Sequence, residues 1–116
     1  MASGALAVVF RFPCPYLHGV AELTEEREQH IDENHPDLSS ALRPHIASTL
    51  AYPDQVRRSS RFNSARLFTR WYNDLQGGKH IVVVVITDEV PVVRHWIIKA
   101  YMARKLTEAE IEWRRS

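Results

Sequence analysis

One cysteine is all the chain has: Cys14, set between Pro13 and Pro15 in a sequence of 116 residues. An internal disulfide is therefore impossible, and a cysteine-built zinc site is excluded with it. No apolar run approaches the roughly eighteen residues that would span a bilayer. The opening MASGALAVVF has neither the basic start nor the length of a secretory signal. These absences lead to the expectation of an unprocessed, soluble, cytoplasmic protein with no membrane partner. GxxxxGK[ST], GxGxxG and GxSxG are missing as well, so neither a nucleotide-binding loop nor a serine-hydrolase elbow is supported. With no internal repeat and no low-complexity linker, residues 1–116 read as a single domain.

What is present is an ordinary globular composition, 45% hydrophobic and 25% charged. The net charge of +1 conceals an asymmetry. Residues 1–56 carry 3 Arg/Lys against 8 Asp/Glu, whereas residues 57–116 carry 12 against 6. An acidic front and a basic back predict one positive face suited to a polyanion.

Periodicity supplies the elements. Residues 5–12 and 18–23 read as strands. Thr24 is a good N-cap, and Glu25 and Glu26 behind it suit the positive end of a helix dipole. That helix should run through Ile31 and fail by His35, because a residue before proline is pushed out of helical conformation. A second helix is expected over 38–51, with Leu38, Leu42, Ile46 and Leu50 in one stripe and Pro44 bringing a kink or a restart. Strands follow at 64–73, 80–87 and 92–103, with the Gly77-Gly78 pair serving a hairpin turn and residues 88–91 a second turn. Residues 107–116 open with Thr107 and two early glutamates, which predicts a short closing helix. The expected fold class is α+β, with N-terminal helices packed on one face of a twisted antiparallel sheet of about four strands.

In REQHIDENHPDL, His30 and His35 are five residues apart. Side chains at that spacing on a helix diverge by about 140°, which argues against a shared metal ion, and no metal is assigned. Acid/base work suits imidazole near neutrality, with Glu26 one turn before His30 to orient it. The plainer alternative is that His30 covers the helix surface and His35 caps its end. Strict alternation in 92–103 puts His95, Ile97, Lys99 and Tyr101 on one face, and in 64–73 it groups Arg66, Phe68, Arg70 and Tyr72. A face holding Arg70, Lys99 and Tyr101 together would offer two cations and a phenol to a phosphodiester, or else a plain solvated sheet surface. The RRSSR run supplies Arg57, Arg58, Ser59 and Arg61 either to an RNA backbone or to a charged strand edge. Trp71, Trp96 and Trp113 read as core or core-edge residues rather than stacking platforms. Cys14 has no neighbouring base that would make it a nucleophile.

The order LTEEREQHIDENHPDL, IASTLAYPDQVRRS, ARLFTRWYNDLQGGKHIVVVV and HWIIKAYMARKL resembles the small phage- and toxin-associated nuclease domains grouped with barnase, EndoU, colicin and RelE ribonucleases. The phage-type (PBECR-like) branch is the most similar, over residues 22–106. That resemblance implies a barnase/RelE-like fold and a metal-independent endoribonuclease that needs no cofactor, a toxin or phage-derived effector. By position His30 and His35 match the family's helix histidines, Arg70 the arginine of its LFYR strand, and Tyr101 the aromatic of its ITAY strand. Arg58 and Ser59 fall at the end of its connector. Two positions depart: Lys99 stands for the ITAY threonine and Thr69 for the LFYR tyrosine.

The implied reaction begins when one histidine takes the proton of a ribose 2′-hydroxyl, whose oxygen attacks the adjacent phosphorus. Arg70, helped by Lys99 or Arg58, would stabilise the phosphorane. The other histidine or Tyr101 would protonate the leaving oxygen. RNA is the implied partner, with an antitoxin or immunity protein beside it. Two other readings stay open: a catalytically silent relative that binds RNA or protein, and a structural component of a phage or mobile element.

Overall fold

Aromatic and β-branched residues spaced by two build the first two strands. The computed structural model, which describes residues 7–34, 43–61, 64–107 and 109–116, forms β1 at Val8–Cys14 and β2 at Gly19–Thr24. A single 3₁₀ turn, Pro15–Leu17, joins them. Their antiparallel register sets Phe10 beside Leu23 and Phe12 beside Ala21. Thr24 then caps α1 at Glu25–Asn34 as expected, its hydroxyl accepting the Arg27 backbone N–H at 3.3 Å. The second helix, α2, spans Arg43–Ala51 and carries Pro44 in its first turn, where a missing N–H costs nothing. His35 and residues 38–42 of the expected second helix lie outside the described residues, as do residues 5–6 of the expected first strand.

The remaining strands are β3 at Gln55–Arg58, β4 at Ala65–Tyr72, β5 at Lys79–Asp88, β6 at Arg94–Ala103 and β7 at Glu110–Arg114. All seven form one sheet in the order β1-β2-β6-β5-β4-β3-β7. Every pairing is antiparallel except β2 with β6, where Ala21 meets His95 and Glu22 meets Trp96. The sheet is thus mixed and seven-stranded, which corrects the expectation of about four antiparallel strands behind N-terminal helices. The central strands β4, β5 and β6 agree with those read from periodicity at 64–73, 80–87 and 92–103. The β1-β2 hairpin instead joins that sheet, because Phe12, Ala21 and Leu23 lie at one end of the same apolar core.

The expected closing helix is also overturned. Residues 110–114, EIEWR, alternate with a period of two and pair antiparallel with β3, setting Ile111 beside Arg57 and Trp113 beside Val56. A segment this short gains little from intrahelical hydrogen bonds, whereas an open strand edge satisfies its backbone at once. Glu112 is the extra residue of a bulge between those two pairs. It turns toward the core side and accepts hydrogen bonds from Tyr16 (2.5 Å), Arg58 (2.8 Å) and Arg66 (2.8 Å).

One face of the sheet is covered. Ile31 of α1 and Ile46 and Leu50 of α2 join Phe12, Val56, Phe68, Ile81, Val83, Val85, Ile97 and Ala100 in one buried cluster. Both helices therefore lie on the side to which the odd-numbered residues of β5 point. No helix among the described residues covers the other side, and none is long and apolar enough to cross a membrane. Buried Glu22 ties the far edge together, receiving two 2.9 Å hydrogen bonds from Arg94, whose guanidinium holds its carboxyl below the usual range.

Candidate functional site

Residues directly opposite on antiparallel strands point to the same face, so the ladder registers map the helix-free side row by row. One row runs Arg57, Leu67, Val84, Lys99 across β3, β4, β5 and β6. The next runs Gln55, Thr69, Val82, Tyr101, and the third Trp71, His80, Ala103. Rows lie about 7 Å apart along the strands. Two cations, a phenol, an imidazole and an indole therefore share one open face.

A bulge makes that grouping possible. Between Val84↔Lys99 and Val85↔Ile97, β6 holds one extra residue, Ile98, and its alternation changes phase there. His95 and Ile97 point to the core, as Ala100 does, while Lys99 and Tyr101 turn to the open side. Strict alternation, which puts His95, Ile97, Lys99 and Tyr101 on one face, fails at this point. The same registers separate Arg70 from Lys99 and Tyr101: its row is Arg70, Ile81, Met102, on the helix-covered side. There its Nη1 donates to the Tyr52 carbonyl just past α2.

The other sequence-derived residues fall in three places. Arg57 is buried in the open face at 4% exposure, and no carboxylate among the described residues forms an ion pair with it. Arg58 points the opposite way, to Glu112. Beyond the end of β3, Arg61 is exposed and its backbone N–H donates to the Ser59 hydroxyl at 3.1 Å. His30 is exposed on α1, the helix that packs against β2 and β6. His35 lies outside the described residues.

Electrostatics on the open face follow from burial and from Arg57. Burial pushes the His80 imidazole below its ordinary 6.5; Arg57 adds to the shift and Asp54 opposes it. At neutral pH the ring is therefore uncharged, free to accept a proton. Burial pushes the Tyr101 phenol above 10.0, with Arg57 partly offsetting it. The Lys99 ammonium lies 5.1 Å from the centre of the Tyr101 ring.

The segment after β6 has to cross the sheet to reach β7 on the far side of β3. Its residues Leu106, Thr107 and Ala109 line, together with Gln55, Arg57 and Ile111, an open cavity of about 670 Å³. Arg57 thus forms part of the lining of an open cleft. Among the described residues, no three His, Cys, Asp or Glu side chains converge in a way that could hold a metal ion.

His80 and Gln55 escaped the sequence reading, Thr69 entered it only as a departure from the family pattern, and Trp71, read there as core or core-edge, is 40% exposed. In HIVVVV a continuous apolar run hides which residues alternate outward. The signal was nevertheless there: a hairpin turn around Gly77-Gly78 places Trp71 opposite His80. Comparisons with protein-family models, with curated proteins and with solved structures find no match to the chain.

Proposed function

We propose that the chain is a metal-independent endoribonuclease whose site is the open sheet face. The observation that carries this reading is that the ladder registers put Arg57, Lys99, Tyr101 and His80 on one face. Arg57 and Lys99 bind the scissile phosphate and stabilise the negative charge that builds on it as the 2′-oxygen attacks. His80, held neutral by burial, takes the 2′-hydroxyl proton. Tyr101 protonates the departing 5′-oxygen; His30 lies on α1, on the covered side of the sheet, and takes no part. The products are a 2′,3′-cyclic phosphate and a free 5′-hydroxyl. The resemblance to phage and toxin nucleases supports the same reaction class, although Arg70 has no place in this version of the site.

Purified protein incubated with RNA in excess chelator should generate cyclic-phosphate ends. Substituting His80→Ala should lower the rate by a factor of about 10² to 10⁴, and Arg57→Ala by a comparable factor. If RNA survives intact under all conditions, or cleavage is indifferent to both changes, the proposal fails. A second reading has its own observation in Lys99, which occupies the family's threonine position. In that reading the face binds RNA without turnover, and salt-dependent binding with no cleavage would identify it. An antitoxin-like protein is proposed as the natural partner of the active form; co-expression with an adjoining small open reading frame, and rescue of growth, is its test.

A further inference from the structure

We propose that Trp71 is a preformed stacking platform for an unpaired nucleobase, which makes single-stranded RNA the substrate of the site. This inference rests on the reading of the open face as an RNA site, and it adds the form of the substrate. Trp71 is 40% exposed, unusual for a residue of this size within a strand, and it stands in the same row as His80. A side chain that only filled space would be expected in the core, where Phe68 lies.

The indole is held on three sides. Its Nε1–H donates to Asn73 Oδ1 at 2.7 Å. The His80 ring meets it edge-on, with centroids 4.9 Å apart. Gly78 lies beneath it: a Cβ there would come within 2.4 Å of the indole, so glycine is required for the ring to rest across the turn. The backbone is pinned too, since β3 ends before it could pair with Trp71 and the Asp54 carboxylate accepts the Trp71 N–H at 2.8 Å instead.

A rigid, half-exposed aromatic costs little entropy to engage, and a base π-face is what it can stack against. Charge complementarity selects the ligand: two rows away on the same face, Arg57 and Lys99 are supplied to the backbone of the strand that delivers the base. A duplex keeps its bases stacked on one another and cannot offer a free face without unpairing. The indole thus excludes paired RNA, and the row spacing sets its bound base beside the His80 imidazole.

The test uses the full chain and a 2′-O-methylated oligoribonucleotide, which lacks the attacking hydroxyl and so reports binding whether or not the protein cleaves. The single strand should bind, and the same strand annealed to its complement should bind at least tenfold more weakly. Trp71→Leu should weaken single-strand binding by about ten- to a hundredfold, with Trp71→Phe retaining it to within about threefold. Circular dichroism of each variant verifies folding, and the Phe variant keeps the comparison interpretable should Leu disturb the turn. Equal affinity for duplex and single strand, or a Leu variant that binds like the parent, overturns the platform. Trp71-dependent binding with no cleavage of unmodified RNA would leave the platform standing and remove the nuclease reading.

Discussion

At the scale of single residues, burial decides which groups are available for chemistry. His80 is neutral at physiological pH because its ring is partly removed from water; Asp54 opposes that shift and Arg57 adds to it. Cleavage should therefore fall only when the pH drops below His80's depressed value, under 6.5, since protonation removes the base. The alkaline limb should lie above 10, where Tyr101 loses the proton it would donate. A pH–rate profile of the parent and of Tyr101→Phe measures both limbs. The expected plateau spans neutrality, and an acid limb centred well above 6.5 would contradict the assignment. Cys14 illustrates the opposite case. It is fully buried, and burial pushes its thiol up to about 11, so the reactive thiolate is scarce. A thiol reagent should label the folded protein at a small fraction of the rate seen in denaturant.

At the scale of elements, the last strand depends on one carboxylate. Glu112 accepts from Tyr16, Arg58 and Arg66, and its carboxyl stays below the usual range; burial opposes ionisation, and the bonds from Tyr16 and Arg66 outweigh it. Burial, reinforced by the same contact, drives the Tyr16 phenol up to about 12. Replacing Glu112 with Ala leaves two guanidinium groups facing a half-buried phenol with no acceptor. We expect a loss of about 2 kcal/mol in urea unfolding, with faster amide exchange concentrated in β7 and the adjoining edge of β3. Exchange that rises uniformly through the sheet would show that β7 is not an independent unit. Because β7 anchors the segment that lines the cleft with Arg57, the same change should alter access to the cleft.

The sequence reading was accurate where an element carries its own local signal. Thr24 and the glutamates after it marked the start of α1, and the turn chemistry around Gly77 marked the β4-β5 hairpin. It went wrong where two local signals compete. In 107–116 the threonine and glutamates of a helix start overlie an alternating EIEWR, and the empty edge of β3 settled the matter. Along β6, one inserted residue reversed the phase. The grouping of Arg70 with Lys99 and Tyr101 was lost there, while Arg57 and His80 were brought to the same face.

At the scale of the whole molecule, charge asymmetry in the sequence becomes placement on a surface. The basic half of the chain holds β3 to β7, but several of its arginines are neutralised internally: Arg58 and Arg66 by Glu112, Arg94 by Glu22 and Arg115 by Asp54. Net charge therefore overstates the cation supply on any one face. RNA affinity should fall with salt, and Lys99→Ala should reduce the slope of log K against log salt by about 0.7, the value for one single-strand phosphate contact. Arg58→Ala, which loses an internal pair, should leave that slope unchanged. Titrations at several salt concentrations separate the two, and equal slopes for all three proteins would refute the assigned contacts.

By itself the sequence determined the start of α1, the strands β4 to β6, the hairpin between β4 and β5 and the isolation of Cys14, because caps, turns and hydrophobic periods act over a few neighbouring residues. Only the tertiary structure decided that the β1-β2 hairpin joins the sheet beside β6, that the chain closes as a strand, and which side chains share the open face. Those outcomes depend on pairing between residues far apart in the chain. A shift of one residue in register moves every side chain of a strand to the opposite face.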